Sequence, residues 1–261
     1  MVCTGRGTAG IPPGGGAPFA VSFDYIHGGQ TIMRLACVVL AVSLAALPAA
    51  ADTVRLEPDR DATLIEHPDG ALANGSGPVF FAGRNNQIND SIRRALLRFD
   101  VAGALPERAL IDGVSLTLYM TPSNPEPHTL RLYRVLADWG EGPSSASGGG
   151  GAPARPGDVT WLHTFWNTDF WAHAGGQFVG SDSSALEVGA SGFYTWESTI
   201  HMVADVRLWA TAPQRNFGWV LIGDERVRQS VKSFASRESM EPMQRPVLEI
   251  TYQMVPVISG P

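Results

Sequence analysis

Aromatic side chains are concentrated in one short stretch of the chain. Five of them fall within eleven residues: Trp161, Phe165, Trp166, Phe170 and Trp171. A sugar ring can stack the apolar C–H bonds of one face on an exposed aromatic ring, so such a cluster would suit a glycan. The middle three rings stand beside Asn167 and Asp169, which is typical of a loop. Trp166 is therefore the best single candidate for a stacking residue, with Phe165 and Phe170 beside it. The alternative is that these rings fill the core.

Two basic side chains near the C-terminus are the other candidates for ligand contact. Lys232 is the only lysine among 19 basic residues, and Arg237 follows five positions later. An ammonium and a guanidinium can both pair with the carboxylates of uronate sugars. The alternative is an internal salt-bridge network that holds the last strands in register. In an extended strand the two side chains face opposite sides, which argues against one shared anion clamp.

The residue spacings of common catalytic and metal sites are missing from the sequence. It contains no H-E-x-x-H, no G-x-S-x-G and no P-loop. Glycoside hydrolysis needs two carboxylates that face each other across a cleft, and no spacing singles out such a pair. We therefore expect no catalytic residue and no cofactor. Asp59, Asp61, Glu66 and Asp90 could supply oxygen ligands to a structural calcium ion, but no loop signature fixes such a site.

Short alternating runs must position these residues. Alternation of period two over 94–99, 115–120 and 247–252 predicts β-strands, because successive side chains of a strand face opposite sides. Turn clusters such as Asn74-Gly75 separate the runs. Further strands are expected at 53–57, 62–66, 78–83, 129–136, 193–202, 216–223 and 230–236. The sequence therefore predicts an all-β fold, an antiparallel β-sandwich.

Two segments break the alternation. Val203, Val206 and Ala210 have helical spacing, and Pro213 follows, so one short helix is expected around 203–210, capping one end of the sandwich. Residues 142–157 are rich in Gly, Ser and Pro and are predicted to form a flexible surface loop inside a single domain.

The N-terminal region is typical of export. The apolar run from Leu35 to Leu47 is too short for a membrane span, which needs about 20 residues. With Arg34 before it and three alanines after it, the run is typical of a signal peptide at 33–51, cleaved before Asp52. The alternative is a buried core helix. Residues 1–32 are then interpreted as a disordered upstream extension, produced by a start codon called too early.

Cleavage at that point predicts a mature protein that is exported and contains no cysteine. Both cysteines, Cys3 and Cys37, lie in the removed part, which leaves no disulfide and no thiol ligand. We expect a bacterial protein that is secreted or periplasmic, with no membrane span after cleavage. The chain is 44% hydrophobic and 17% charged, which excludes wholesale disorder. A formal charge of −6 argues against nucleic acid as a partner.

The C-terminal motifs resemble those of a known family. Residues 232–238 (KSFASRE) and 245–252 (RPVLEITY) are similar to the closing motifs of the DNRLRE family. Residues 94–100 (RALLRFD), 139–142 (WGEG) and 158–161 (DVTW) follow that family's order. With shorter matches, the resemblance covers nearly all of 53–252. It implies one jelly-roll β-sandwich domain at 52–252, related to carbohydrate-binding modules, with a tail at 253–261.

The resemblance also implies a function. Such modules are exported, accompany polysaccharide-degrading enzymes or cell-surface proteins, and in some cases are associated with acidic polysaccharides such as alginate. It places Trp161 and Trp171 in the core. We therefore expect an exported, non-catalytic module that binds polysaccharide, with acidic polymers among the candidates. Two alternatives remain open: a structural or adhesive protein of the cell surface or extracellular matrix, and a polysaccharide lyase or hydrolase.

Overall fold

Antiparallel strands dominate residues 51–255, the range that the computed structural model of the protein describes. The strands are β1 (Asp52–Leu56), β2 (Arg60–Ile65), β3 (Leu72–Asn74), β4 (Val79–Arg84), β5 (Ile92–Arg98), β6 (Ala109–Met120), β7 (His128–Arg134), β8 (Ala152–Pro153), β9 (His163–Phe165), β10 (Asp169–Phe170), β11 (Ser184–Val188), β12 (Gly192–Trp196), β13 (Trp219–Ile222), β14 (Lys232–Ala235) and β15 (Val247–Met254). The helices are α1 (Val101–Ala104) and α2 (Ile200–Thr211), and single 3-10 turns lie at Pro213–Arg215 and Pro242–Gln244.

Several predictions from the N-terminal region and the tail fall outside that range. They are the extension at 1–32, both cysteines, the signal peptide at 33–51 except for Ala51, and the tail beyond residue 255. Within 51–255, no helix has the length and apolar character needed to cross a membrane.

The strands form two layers, and the predicted antiparallel β-sandwich is confirmed. In the first layer β6 pairs with β15, β12 and β14, while β1 extends the layer beyond β15. In the second layer β5 lies between β2 and β13, and β7 and β11 follow β13. Strand β4 joins the layers, because it pairs with β14 along most of its length and with β5 at its end.

A glycine makes that crossing possible. Gly83 stands at the bend of β4 with φ of +119°, a conformation that L side chains rarely adopt. A Cβ atom at this position would lie 2.8 Å from the Cα of Val231. The close approach of the neighbouring chain and the positive φ therefore both require glycine where the two layers meet.

The main core lies between the layers and is built as the alternation predicts. Ala95, Leu97 and Phe99 point inward from β5 and from the residue after it, and all three are fully buried. Three tryptophans join them: Trp196, Trp209 and Trp219. Rings of Trp209 and Trp219 meet edge to face at 4.6 Å, a favoured aromatic geometry.

A second core covers the outer face of the second layer. Leu96 and Val220 point away from the main core, yet both are buried. They are covered by three tryptophans of the segment that follows β7: Trp139, Trp161 and Trp171. The family resemblance places Trp161 and Trp171 in the core, and their burial is confirmed.

The predicted helix is confirmed and is longer than expected. Thr199 caps it, because its hydroxyl accepts a hydrogen bond from the amide of Met202 at 3.0 Å. Val203 and Val206 are buried as the spacing predicts, and the apolar side of α2 forms part of the main core.

The Gly/Ser/Pro segment at 142–157 is held more firmly than a flexible loop would be. Its strand β8 pairs with β3, and Ser144 is buried. The buried carboxylate of Asp158 accepts hydrogen bonds from the amides of Ser144 at 3.0 Å and Arg155 at 2.6 Å. One side chain thus fixes both ends of the segment.

Candidate functional site

The predicted aromatic cluster forms a short hairpin. Strands β9 and β10 pair in antiparallel register, which places Phe170 opposite His163. Asn167 takes a positive φ of 61° in the turn, a conformation that asparagine tolerates better than most residues. We call residues 163–170 the aromatic hairpin.

Its three candidate rings differ in exposure. Phe170 is 67% exposed, whereas Phe165 and Trp166 are half-buried. The Phe165 ring lies against Gly140, so close that a Cβ atom there would be 2.9 Å from it. Trp166, the best candidate from sequence, therefore presents only part of its ring, and Phe170 is the ring with the most free surface.

A histidine that sequence reasoning did not select supports these rings. The buried imidazole of His163 lies 4.3 Å from the Phe170 ring and 4.8 Å from the Trp166 ring, edge-on to the latter. Burial lowers the pKa of His163, so the imidazole is neutral at pH 7. Its Nδ1 lies 3.0 Å from the hydroxyl of Thr160, which fixes the orientation of the ring.

The hairpin is tied to the second core at its base. The amide of Trp166 donates to the carbonyl of Asp158 at 2.7 Å, and the amide of Gly140 donates to the carbonyl of Thr164 at 3.0 Å. These bonds hold both faces of the turn to the neighbouring loops. Phe170 and Trp166 are therefore presented by a constrained element, which lowers the entropy cost of binding a ligand.

The structure removes Lys232 from the candidate ligand-binding residues. Its side chain is fully buried, and its ammonium donates to the carbonyls of Asn124 at 2.6 Å, of Glu126, and of Gly189 at 3.3 Å. An ammonium has three N–H donors, and all three are used inside the protein. The interior alternative is thus the correct one for Lys232, although its partners are carbonyls and not carboxylates.

Arg237 lies in the turn after β14, which ends at Ala235, so the strand alternation does not extend to it. Its guanidinium pairs with Glu141 at 2.8 Å and with Glu238 at 3.2 Å. Lys232 and Arg237 therefore form no joint anion site. The internal salt-bridge network expected as the alternative is present around Arg237.

The same network contains three carboxylates that lie as close together as the ligands of a metal ion. One oxygen each of Asp61, Glu141 and Glu238 lies within 4.8 Å of the other two. However, the amide of Arg237 donates to Asp61 at 2.7 Å, and the amide of Asp61 donates to Glu141 at 2.8 Å. Calcium binds six to eight oxygens, whereas this cluster has three carboxylates beside a guanidinium. Within residues 51–255, Oε2 of Glu238 is buried and has no hydrogen-bond partner. A calcium ion bound here would need further oxygen ligands, and a structural calcium stays a prediction from the sequence.

Two of the other acidic residues considered for calcium have partners of their own. Asp59 pairs with Arg98, and Glu66 accepts a hydrogen bond from the amide of Ile92 at 2.9 Å. Only Asp61 of the four joins the cluster, together with residues from two distant segments.

The cluster should make stability depend on pH. Burial raises the pKa of Asp61 well above its usual value, and the charges of Glu238 and Glu141 act in the same direction. The folded state thus favours the protonated carboxyl. This contribution to stability is complete below the unfolded pKa, about 3.9, and is lost as the pH rises through the folded pKa.

Asp61→Asn should therefore remove this loss. Between those two pKa values the wild-type protein should lose about 1.4 kcal/mol of unfolding free energy per pH unit relative to the variant. Urea denaturation at a series of pH values measures the difference, with the exposed Asp138→Asn as control. Parallel curves for Asp61→Asn and wild type would contradict the assignment of the proton to this carboxyl.

The chain was compared with protein-family models and with curated proteins. No family model matches the chain, and no curated protein matches it. The resemblance to the DNRLRE family therefore stays a prediction from the motifs in the sequence.

Proposed function

We propose that the protein is an exported, non-catalytic module that binds polysaccharide, with the aromatic hairpin as a contact surface. The observation that supports this most is the exposed ring of Phe170, backed by the neutral imidazole of His163. An exposed aromatic ring on a constrained element offers a sugar an apolar face without a large ordering cost.

The contacts of the two basic candidates reduce the range of polysaccharides that are expected to bind. Lys232 is buried and Arg237 is paired with two carboxylates, so neither offers a free positive charge to a uronate. Selection for acidic polymers would therefore need other side chains. Neutral polymers are the first ligands to test.

Affinity-gel electrophoresis with neutral and acidic polysaccharides tests the proposal directly. We expect retardation by at least one polymer, with no new reducing ends and no absorbance from unsaturated uronate after incubation. Release of such products would favour the lyase or hydrolase alternative. The absence of retardation by every polymer would contradict the proposed function.

The contribution of the hairpin can be isolated with one substitution. Phe170→Ala should weaken binding about tenfold, which corresponds to about 1.4 kcal/mol, because the stacking surface is lost. Its melting temperature should change little, since surface substitutions cost about 0.5 kcal/mol or less. Titration of the retarding polymer measures the change.

Phe193→Ala is the matched control for that experiment. Phe193 is 59% exposed on the outer face of the first layer, where it meets Tyr119 edge-on at 4.9 Å. Equal losses of binding in the two variants would show that the hairpin has no special part in recognition.

A structural or adhesive role is the second candidate, and one observation favours it. Met240 and Met243 are 88% and 85% exposed beside the turn before β15. A contiguous apolar patch marks a surface that contacts other proteins, and these two methionines are three positions apart in the chain. Self-association that is lost in a Met240→Ser, Met243→Ser variant, without polysaccharide binding, would support this role.

A further inference from the structure

A groove of about 700 Å³ lies on the outer face of the second layer. It lies beside the part of that face which Trp139, Trp161 and Trp171 cover. Thr129, Arg131 and Tyr133 alternate along β7 and face outward, because the residues between them are buried in the main core. Ile222 of β13 is aligned with Arg131 and forms the floor beside it. The groove is named here the Tyr133 groove, and it shares no lining residue with the aromatic hairpin.

One wall of the groove is the loop after β13. The carboxylate of Asp224 accepts hydrogen bonds from the amides of Arg226 at 3.0 Å and Val227 at 3.2 Å, which closes the loop on itself. Glu225 binds the guanidinium of Arg94 through two hydrogen bonds, at 2.6 and 3.0 Å. The wall is therefore held to β5, and its carboxylates have fixed positions.

Charge in the groove is balanced. Arg131 pairs with Asp182 at 2.7 Å, and the acidic side chains of Asp224 and Glu225 offset Arg131 and Arg226 in the lining. A surface without net charge attracts neither polyanions nor polycations over a distance. A neutral ligand is the chemistry that this balance favours.

The polar side chains of the groove can form hydrogen bonds with the hydroxyls of a sugar. A guanidinium presents a planar fork of donors, which can bind two adjacent hydroxyls of a sugar. Each carboxylate oxygen of Glu225 accepts one hydrogen bond from Arg94 and has a second lone pair for a sugar hydroxyl. Tyr133 adds a half-buried ring that packs on Phe178 at 5.4 Å. Tyr133 lines the groove, and a phenol hydroxyl can both donate and accept a hydrogen bond. Burial raises the pKa of Tyr133, which keeps that hydroxyl protonated.

We propose that the Tyr133 groove is a second glycan site, which binds a neutral hexose unit through adjacent hydroxyls held by Arg131 and Glu225 and stacked beside Tyr133. The inference rests on the proposed function only in taking a glycan as the ligand. It adds a separate site and a ligand class.

Arg131→Ala, alone and with Tyr133→Phe, tests the groove. The probes are galactomannan and xyloglucan as neutral polymers and alginate as an acidic polymer, each in an affinity gel with the full chain. We expect retardation by a neutral polymer to weaken about tenfold with Arg131→Ala and further with the double variant. Arg55→Ala is the matched control, since Arg55 forms the equivalent exposed pair with Glu249 at 2.8 Å on the other layer.

The outcomes separate the two proposals. Neutral-polymer binding that is lost in Phe170→Ala but unchanged in Arg131→Ala would overturn the groove and leave the proposed function standing. Alginate binding that weakens in Arg131→Ala, without any neutral binding, would overturn the neutral ligand. Equal losses in Arg131→Ala and Arg55→Ala would also overturn the groove, and no binding to any polymer would overturn both proposals.

Discussion

Replacing Lys232 with methionine should lower the free energy of unfolding by about 3 kcal/mol and leave polysaccharide affinity unchanged. The ammonium is fully buried and supplies a donor to each of three carbonyls, those of Asn124, Glu126 and Gly189. Methionine fills much of the same volume but donates no hydrogen bond. The cost comes from part-buried carbonyls that lose their partner, since an unsatisfied group costs about 1–3 kcal/mol when fully buried.

Those three carbonyls explain why the effect should be large. They belong to the turn between β6 and β7 and to the residue after β11, which lie more than 40 residues from Lys232 in the chain. Burial lowers the pKa of Lys232, which reflects the cost of keeping the charge away from water. The three carbonyls and the nearby negative charge of Glu126 offset that cost.

Urea denaturation at pH 7 measures the loss as a shift in midpoint at constant slope. Arg55→Met is the control, because it removes one positive charge from an exposed side chain and should cost about 0.5 kcal/mol or less. A loss below about 1 kcal/mol in Lys232→Met, together with weaker glycan binding, would return Lys232 to the ligand site.

The course of β5 shows what alternation can and cannot predict. The inward set of Ala95, Leu97 and Phe99 was expected and is buried. Leu96 is buried as well, on the opposite face, because a long irregular segment folds back over it. A run of consecutive apolar residues is the signal of a strand covered on both faces, and residues 95–97 contain such a run. Which segment would cover the strand depends on contacts that no local pattern records.

The candidate site also has parts that the sequence could predict and parts that it could not. The aromatic hairpin was predictable, since its rings are neighbours in sequence and its turn carries asparagine. The Arg237 network joins Asp61, Glu141 and Glu238 from three distant segments, and only the folded chain brings them together. The Tyr133 groove has no local signal, because its lining alternates with core residues along β7 and its wall is the loop after β13. The sequence identified candidate residues that are neighbours along the chain. It missed the residues that only the folded sheet brings together.

Asp205 is the position where loss of one side chain should disturb both the fold and the groove. It lies on the buried side of α2, one turn before Trp209, and its carboxylate faces the second layer. One oxygen accepts hydrogen bonds from the indole of Trp219 at 2.9 Å and the hydroxyl of Ser183 at 2.6 Å. The other oxygen pairs with Arg134 at 2.8 Å. The carboxylate thus ties α2 to β13 and β7, the strands that form the floor of the Tyr133 groove.

Asp205→Ala should therefore cost about 3–5 kcal/mol, because it leaves the Arg134 charge and a buried indole N–H without their acceptor. Asp182→Ala is the matched control: it also removes an acid from an ion pair with an arginine of β7, but that pair is exposed and should cost about 1 kcal/mol or less. Denaturation curves of the two variants give the comparison. If Asp205→Ala lost no more stability than Asp182→Ala, the carboxylate would have no part in joining the helix to the sheet. The larger loss would show that the buried acid, and not its charge alone, holds α2 against the strands that carry the groove.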